Sequence, residues 1–449
     1  MSLTKDKNNS FENLSGWGSY PTIRSKKIIP ANLKELKKAV SSSSSIARGN
    51  GRSYGDSAIN KFATIEMSKF NRLLSFDENT GLIVAQSGVL LADVIDIFLP
   101  KGWFPSVTPG TKFVTIGGMV AADIHGKNHH KDGSFLNFID WIEIINIDGE
   151  IMKCSRKSNK ELFFWTVGGM GLTGIIINVG FYLRKIDTSW IKQRTIVANN
   201  ISKLFQSFEA NIDSTYAVAW IDCYSNGKDI GRSILMIGEH ATIKEIKSNK
   251  LRSFKEFNKK KINIPFYFPP FFLNLLIVKI FNILYFLKGT FSKKNKIIDC
   301  DTFFYPLDKI LNWNKIYGNR GFAQFQCVIP LSKSEKGISE LLRCISSSKS
   351  NSFLAVLKRF GKQKGNFCFP MEGYSLALDF PINKDNLLLM NRLDKITIKN
   401  GGRFYLAKDS RMSKETFQKS DKRIKEYKAF RDKGLKRNFN SSQSERLGL

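Results

Sequence analysis

The sequence predicts an α+β fold in more than one part, and three observations predict it. Between residues 46 and 190, short β-branched runs alternate with glycine-rich turns and only brief helical stretches. That is not the even strand–helix alternation of a parallel α/β sheet. After about Ile186 the texture changes to strand-like segments separated by longer helical stretches, the pattern of a second, mostly antiparallel sheet. The length, 449 residues, suits about two or three domains.

Lys26–Val40 (KKIIPANLKELKKAV) reads as a short strand, a turn at Pro30 and an amphipathic helix starting near Asn32. Ser41–Ser45 then read as a linker. Strands are expected in IARGNGRSYGD, ATIEMS, GLIVAQSGV, IDWIEIINIDGEI and GLTGIIINVGFYL, with short helices at Leu91–Leu99 and Lys160–Thr166. In the second part the expected strands are Tyr216–Tyr224, Ser233–Glu239, Thr302–Tyr305, Gly321–Pro330 and Tyr374–Phe380. Helices are expected at 308–316, 334–347 and 383–399. The basic tail 411–449 reads as mostly helical before fading into SSQSERLGL.

Apolar content of 42 % and charged content of 24 % are those of an ordinary globular chain. The six cysteines form no C-x-x-C pair, and neither a zinc ribbon nor a redox dithiol is suggested. The first residues are polar and lack a signal-peptide core, so a cytoplasmic setting is the expectation. The net charge of +31 creates a field attractive to phosphates, nucleic acid or anionic lipid. Codon drift towards lysine is the plain alternative. With no zinc finger, RRM-type motif or basic heptad region, no nucleic-acid role is expected.

Lys259–Lys294 is rich in Phe, Leu and Ile and flanked by lysines. Its most apolar run, Phe271–Leu287, is interrupted by Asn274, Lys279 and Asn282, and it falls short of the ~20 apolar residues of a membrane span. Two readings remain open: a helix buried beneath a loop, or an interfacial anchor over 262–287 that makes the protein peripheral to a membrane.

Three glycine-rich segments carry the functional signal. ARGNGRSYGDSAIN (Ala47–Asn60) follows a short strand. Its glycines permit positive φ, so successive N–H groups can form a nest for phosphate oxygens, with Arg48, Arg52 and Ser53 adding charge and a donor. No G-K-[ST] follows, and no long helix opens, so neither a Walker loop nor a Rossmann fingerprint fits. TPGTKFVTIGG (Thr108–Gly118) and TVGGMGLTG (Thr166–Gly174) repeat the theme. Together they fit a long ligand threaded between loops. Three of the four histidines, His125, His129 and His130, lie close together. His129 and His130 are adjacent and would point to opposite faces of an extended segment. Asp123 and Asp132 are the only nearby carboxylates, so no metal is expected. The adjacent pair is expected to hold a turn through hydrogen bonds.

The strings GRSYGDSA, TPGTKFVTIGGMVAADIHGKNHHKDGSF, ELFFWTVGGMGLTGII and FYLAKDSR resemble FAD-linked oxidoreductases of the vanillyl-alcohol-oxidase type, and among them the decaprenylphosphoryl-β-D-ribose 2′-oxidase family. The resemblance spans essentially the whole chain. It implies a PCMH-type FAD domain formed by residues 1–187 and a returning tail 403–449, with a substrate domain, 188–402, inserted between. It also implies FAD contacts at Ala47, Arg48, Gly49, Asn50, Gly51, Arg52, Ser53, Tyr54, Gly55, Asp56 and Ser57 around the pyrophosphate. Further contacts are implied at Gly110, Thr115, Ile116, Gly117, Gly118, Ala122, Asp123, Ile124, His125, Ile176 and Tyr405. Where some relatives attach flavin through a histidine, Arg52 stands here. Arginine cannot make that bond, so noncovalent FAD is expected.

The implied reaction removes a hydride from C2′ of a lipid-phosphate-linked ribose and a proton from its hydroxyl, the first half of a 2′-epimerisation. The cofactor performs the redox step, and the protein orients the sugar and moves the proton. Lys408 and Tyr54 match functional positions. Lys127, Tyr305, Gln324, Gln326, Lys358 and Phe360 match substrate-pocket positions, with Lys127 suited to the substrate phosphate. Gln324 and Gln326 would face one side of their strand. Two departures bear on the sugar: Ser375 stands where the family has asparagine, and Ala377 where mycobacterial members have cysteine. The resemblance also implies a short-chain dehydrogenase partner that reduces the keto product. The competing readings are a sugar-lactone or alditol oxidase acting on a soluble substrate, and a noncatalytic flavin-binding or membrane-surface adaptor.

Overall fold

The computed structural model describes residues 9–254, 261–269, 274–348, 350, 352, 354–434 and 438–449. A first sheet holds β1 (Asn9–Ser15), β2 (Thr22–Ile28), β3 (Ser45–Arg48) and β4 (Ala63–Glu66), in the order β1-β2-β4-β3. β2 and β3 each run parallel to β4, and parallel strands need a crossover. The helix Leu33–Ser42 supplies it between β2 and β3, and the glycine-rich loop after β3 brings the chain back to β4 between them. The helix N-terminus is fixed by Asn32, whose side chain accepts from the Glu35 N–H at 3.0 Å. Its apolar stripe, Leu36, Ala39 and Val40, is buried against the sheet. The helix takes in Ser41 and Ser42, so the serine linker is shorter than the sequence suggests.

The second sheet holds β5 (Leu73–Phe76), β6 (Leu82–Gln86), β7 (Trp103–Pro105), β8 (Ile139–Ile145), β9 (Ile151–Ser155) and β10 (Ile175–Lys185). Its order is β5-β6-β10-β8-β9, with β7 also on β10, and every pairing is antiparallel. Alternate residues of these strands (Ile83, Ile142, Ile144, Phe181) fill one core with Ile116, Met119 and Val120 of the glycine-rich segment. Each such buried side chain contributes about 1.5–3 kcal/mol.

The third sheet is larger. It holds β11 (Trp190–Ala198), β12 (Tyr216–Ile221), β13 (Ser233–His240), β14 (Asn295–Asp299), β15 (Phe322–Pro330), β16 (Ala355–Phe360), β17 (Gly373–Pro381) and β18 (Arg403–Phe404). The order is β14-β11-β13-β12-β16-β17-β15-β18, antiparallel throughout. Its two faces divide the labour. Ala219, Leu235, Leu357, Leu376, Leu378, Phe325 and Cys327 pack against the helices Ile201–Glu209, Ser334–Ser346 and Lys384–Lys399. The opposite face carries Gln324, Gln326, Asp379, Ser375 and Lys358, and it meets the glycine-rich loops.

The tail returns to the first sheet. The Ser45 N–H donates to Asn438 O and the Asn440 N–H to Ser45 O, both at 3.0 Å. Arg446 then grips two buried carboxylates, Asp56 at 2.7 Å and Asp409 at 3.0 Å.

The structure corrects four expectations. Thr302–Tyr305 is not a strand: Cys300–Phe304 is a helix, because the Asp299 carboxylate accepts from the Thr302 N–H and outweighs the aromatic run's β preference. Residues 308–316 are not one helix but two 3-10 turns, Pro306–Lys309 and Trp313–Tyr317, on either side of Ile310–Leu311. The terminal SSQSERLGL does not fade: Ser441 caps a helix over Ser442–Leu447. His129 and His130 are not extended; they begin the short helix His129–Asp132.

Candidate active site

The Ala47–Ser57 loop divides in two. Ala47–Ser53 keeps partly open backbone, whereas Tyr54–Ser57 is buried. Gly49 has no room for a side chain, since a Cβ there would lie 2.1 Å from the Thr115 hydroxyl oxygen. That hydroxyl caps the turn of Ile116–Ala121 by accepting from the Gly118 N–H. Backbone of the first two glycine segments is thereby brought side by side. Arg48 donates to Ser15 O, and Asn50 to Phe113 O. The Arg52 guanidinium stacks 4.0 Å from the Trp17 ring centre and 5.4 Å from that of Phe113, and its Nε is buried without a partner among the described residues. Asp56 is spent on Arg446 rather than on open space. Gly55 packs so tightly under Asp409 that a Cβ would lie 2.3 Å from its carbonyl oxygen.

The second half of the loop is clasped from both ends of the chain. The Trp17 N–H donates to Ser53 O, the Gly18 N–H to Tyr54 O, and the Tyr54 N–H to Ala407 O. This fixes Tyr54 beside Lys408, whose ammonium sits 3.7 Å from the centre of the Tyr54 ring. Tyr54 in turn meets Phe322 edge-on.

A second seam forms at His125. The Gln326 side-chain amide donates to His125 Nε2 at 3.1 Å and reaches the Ser375 hydroxyl at 3.3 Å. The ring packs on Phe360 and Tyr405, and the Tyr405 hydroxyl donates to Ala122 O at 3.0 Å. Burial, with Lys358, His129 and Lys408 nearby, pushes the His125 pKa well below its ordinary value. It is a neutral imidazole that accepts at Nε2. The pair does not hold a turn as expected: His130 bonds Ser214 O at 2.6 Å, 84 positions away, and both ring nitrogens of His129 are buried without a partner among the described residues. His129 is buried against Phe360, and burial lowers its pKa to about 3.

The register places the floor. Gln324 pairs with Asp379, Gln326 with Ala377, Ala377 with Val356, and Ser375 with Lys358. Cross-strand partners share a face, so these side chains line one surface, and the two glutamines lie on one side as their spacing predicts. Above it stand Lys408, Lys358 and Lys127, each partly accessible. Burial lowers the Lys358 pKa to about 8. Burial, and then Lys358, lower that of Lys127 to about 7. Lys408 is lowered by burial and by Lys358, against the opposing pull of the Asp379 carboxylate. Lys127 does not stand free: its ammonium donates to Phe303 O and lies 4.3 Å from the Phe303 ring centre. Tyr305 is fully buried, with its hydroxyl on the Thr108 side chain. It supports the wall from behind.

Asp379 is the residue sequence reasoning passed over. It is buried, accepts from Gln324 Nε2 at 2.5 Å, and lies 3.5 Å from the Tyr317 hydroxyl. Burial raises its pKa. In the sequence it shows only as a lone acid in an apolar strand, LALDF, on the face of Ser375; its pairing with Gln324 comes from a register that no local pattern gives.

The residues fit a dinucleotide. Loop backbone from three segments converges, Arg52 Nε and His125 Nδ1 are buried without partners among the described residues, and a Cβ on Gly110 would meet nothing within 4 Å. A small cleft open to solvent is lined by Ala122, Gly168, Met170, Phe369, Tyr405 and Arg423, among others. Ala122 and Tyr405 were expected there, and Gly168 belongs to the third glycine segment. Ile176, Asp123 and Ile124 are buried. Asp123 accepts from the Leu136 N–H, so its carboxylate supports the loop from inside.

A family model for an FAD binding domain matches residues 27–155. The decaprenylphosphoryl-β-D-ribose oxidase of Mycolicibacterium smegmatis is 34 % identical over 428 residues, 92 % of each chain. An uncharacterized protein of Streptomyces coelicolor is 27 % identical over 73 % of this chain and 90 % of its own. L-gulonolactone oxidase of Mus musculus is 28 % identical over 131 residues, 29 % of this chain and 30 % of its own. Fold, loops and matches define an FAD-dependent oxidoreductase with a PCMH-type α+β architecture. Within that class, the chain belongs to the decaprenylphosphoryl-β-D-ribose oxidase family.

Proposed function

We propose that this enzyme oxidises the 2′-hydroxyl of a polyprenyl-phosphate-linked ribofuranose to the 2′-keto sugar. One observation carries the reading: three lysines with lowered pKa values stand over an amide-and-hydroxyl floor that holds a single carboxylate. Such an excess of desolvated cations suits a phosphate-bearing sugar, because an anion restores the stability that burial removes. Lys127 and Lys358 take the phosphate. Gln324, Gln326 and Ser375 orient the sugar hydroxyls, with Phe360 and Tyr305 shaping the walls.

Bound FAD supplies the acceptor for the hydride that leaves C2′. Lys408, with its pKa lowered, accepts the hydroxyl proton, and Tyr54 holds its ammonium end in place. The cofactor is held noncovalently by Ala47–Ser57, Gly110, Thr115–Gly118, Ala122–His125, Ile176 and Tyr405. These contacts come from the 1–187 and 403–449 portions around the inserted 188–402 domain. The keto product then requires a reductase, for which a short-chain dehydrogenase is the expected partner, and a lipid-tailed substrate calls for peripheral membrane contact.

Anaerobic flavin bleaching with a panel of polyprenyl-phospho-pentoses and sugar lactones tests the reading. Bleaching by the phospho-ribose is expected. Bleaching by a soluble lactone alone, or by nothing in the panel, overturns the substrate.

A further inference from the structure

The helix Leu275–Phe291 is strongly apolar, with Lys279, Asn282 and Lys288 as its main polar interruptions, a composition that belongs in a core or at a membrane. Only one side is in the core. Val278 is buried. Asn282 is also buried and donates to the Asp222 carboxylate at 2.8 Å. Arg232 completes that clamp with an ion pair to Asp222 at 2.8 Å, and it also lies 5.0 Å from the Phe286 ring centre. Tyr285 packs on Trp220, and Gly289 lies so close to Ile234 that a Cβ would come within 2.1 Å of it. The helix is therefore pinned in one rotation about its axis.

The other side faces solvent. Leu276 is 67 % exposed, Leu284 61 % and Phe291 83 %, with Ile280, Ile283 and Leu287 also exposed. They follow the three-to-four spacing of one helical stripe. Lys279 and Lys288 stand exposed beside it, with Lys293, Lys294 and Lys296 just beyond its end. No acidic residue occurs from Lys261 to Ile298. An apolar stripe of this size needs a cover, and the lysine fringe selects an anionic one. Among the described residues, no helix is long and apolar enough to cross a membrane.

The register adds where this stripe sits. Trp220 pairs with both Val356 and Ile234, and Val356 pairs with Ala377. The helix thus docks on the same face of the third sheet as Lys358, Ser375, Gln326 and Gln324.

We propose that the exposed stripe of Leu275–Phe291 is a docking surface for an anionic lipid bilayer, which sets the sheet face bearing the polar floor beside the membrane. The docking deepens the substrate reading above and rests on it for its purpose. The binding itself does not require it. The apolar side chains enter the acyl boundary while Lys279 and Lys288 meet the headgroup phosphates.

The test is co-sedimentation of the FAD-loaded protein with phosphatidylglycerol–phosphatidylcholine vesicles and with pure phosphatidylcholine vesicles. The native protein is expected to bind the first and to release at high salt. The triple variant Leu276→Asn, Ile280→Asn, Leu284→Asn should lose about a thousandfold in partitioning, since each lost side chain forfeits roughly tenfold. Lys279→Gln with Lys288→Gln should weaken binding to anionic vesicles only. The altered side chains are exposed, and flavin absorbance and thermal melting check that the fold is intact. Three results would overturn the proposal: no binding to anionic vesicles, binding that the triple variant keeps, or a native oligomer that the triple variant dissociates while vesicles are ignored. The last would assign the stripe to a second copy of the chain. Flavin bleaching by a short-tailed phospho-ribose in solution should be the same in native and triple-variant protein. Failure of that bleaching in both proteins would indict the substrate reading and leave the docking result standing.

Discussion

Replacing Lys358 with methionine isolates the electrostatics of the site. Lys358 stands near four other titrating groups, Lys127, His125, His129 and Lys408, and lowers each of them. Methionine keeps the length of the stem and removes the charge. If Lys358 pairs with the substrate phosphate, losing that partly buried charge costs about 2 kcal/mol, a rise in KM of about thirtyfold. The sign of the pH effect follows separately. A neighbouring cation disfavours a second ammonium, so without Lys358 the Lys408 pKa rises towards its ordinary value. The acid limb of kcat/KM, which reports the fraction of neutral Lys408 in the free enzyme, therefore moves to higher pH. Steady-state kinetics across pH, with the phospho-ribose and a phosphate-free analogue, separates the two effects. The KM rise should vanish for the phosphate-free sugar, whereas the limb should move for both. An equal KM rise for both sugars, or a limb that stays put, would refute the reasoning.

The other predictions probe different links. Asp379→Asn removes the carboxylate that favours the Lys408 ammonium, so the same acid limb should move to lower pH, opposite to Lys358→Met; a uniform loss at all pH values would mean a packing role only. Arg446→Met leaves Asp56 buried without its cation and Asp409 with only its Arg411, Met412 and Gln443 hydrogen bonds, which should cost about 3–5 kcal/mol in chemical denaturation; a loss under about 1 kcal/mol would show the clamp to be slack. Arg52 stands where covalent relatives have histidine, so acid precipitation should release free flavin into the supernatant; flavin that stays in the pellet would contradict noncovalent binding.

The glycine segments were legible because close backbone approach leaves a local mark: Gly49 against Thr115 is written as two glycine-bearing strings. The period of two was enough to put Gln324 and Gln326 on one face. Asp379 was not legible as a site residue, since its importance comes from register with Gln324 on another strand. The C-terminal clamp escaped for a similar reason. Ser441, Gln443 and Arg446 read as a polar tail until the fold brings Asp56, some 390 positions away, within reach. The helix at Cys300–Phe304 was hidden by its own aromatics. The apolar helix was readable in composition, but which side faces outward depends on Asn282 finding Asp222. The apolar segment 259–294 also includes residues 259, 260 and 270–273, which lie outside the described residues.

The central claim is that a hydride leaves C2′ of a phosphate-linked ribose in this site. The direct measurement is the rate of anaerobic flavin reduction by polyprenyl-phospho-ribose carrying deuterium at C2′, compared with the unlabelled sugar. The account predicts a clear slowing with C2′ deuterium and none with deuterium at C3′. Equal rates for the C2′-labelled and unlabelled sugars, or slowing only with the C3′ label, would contradict it.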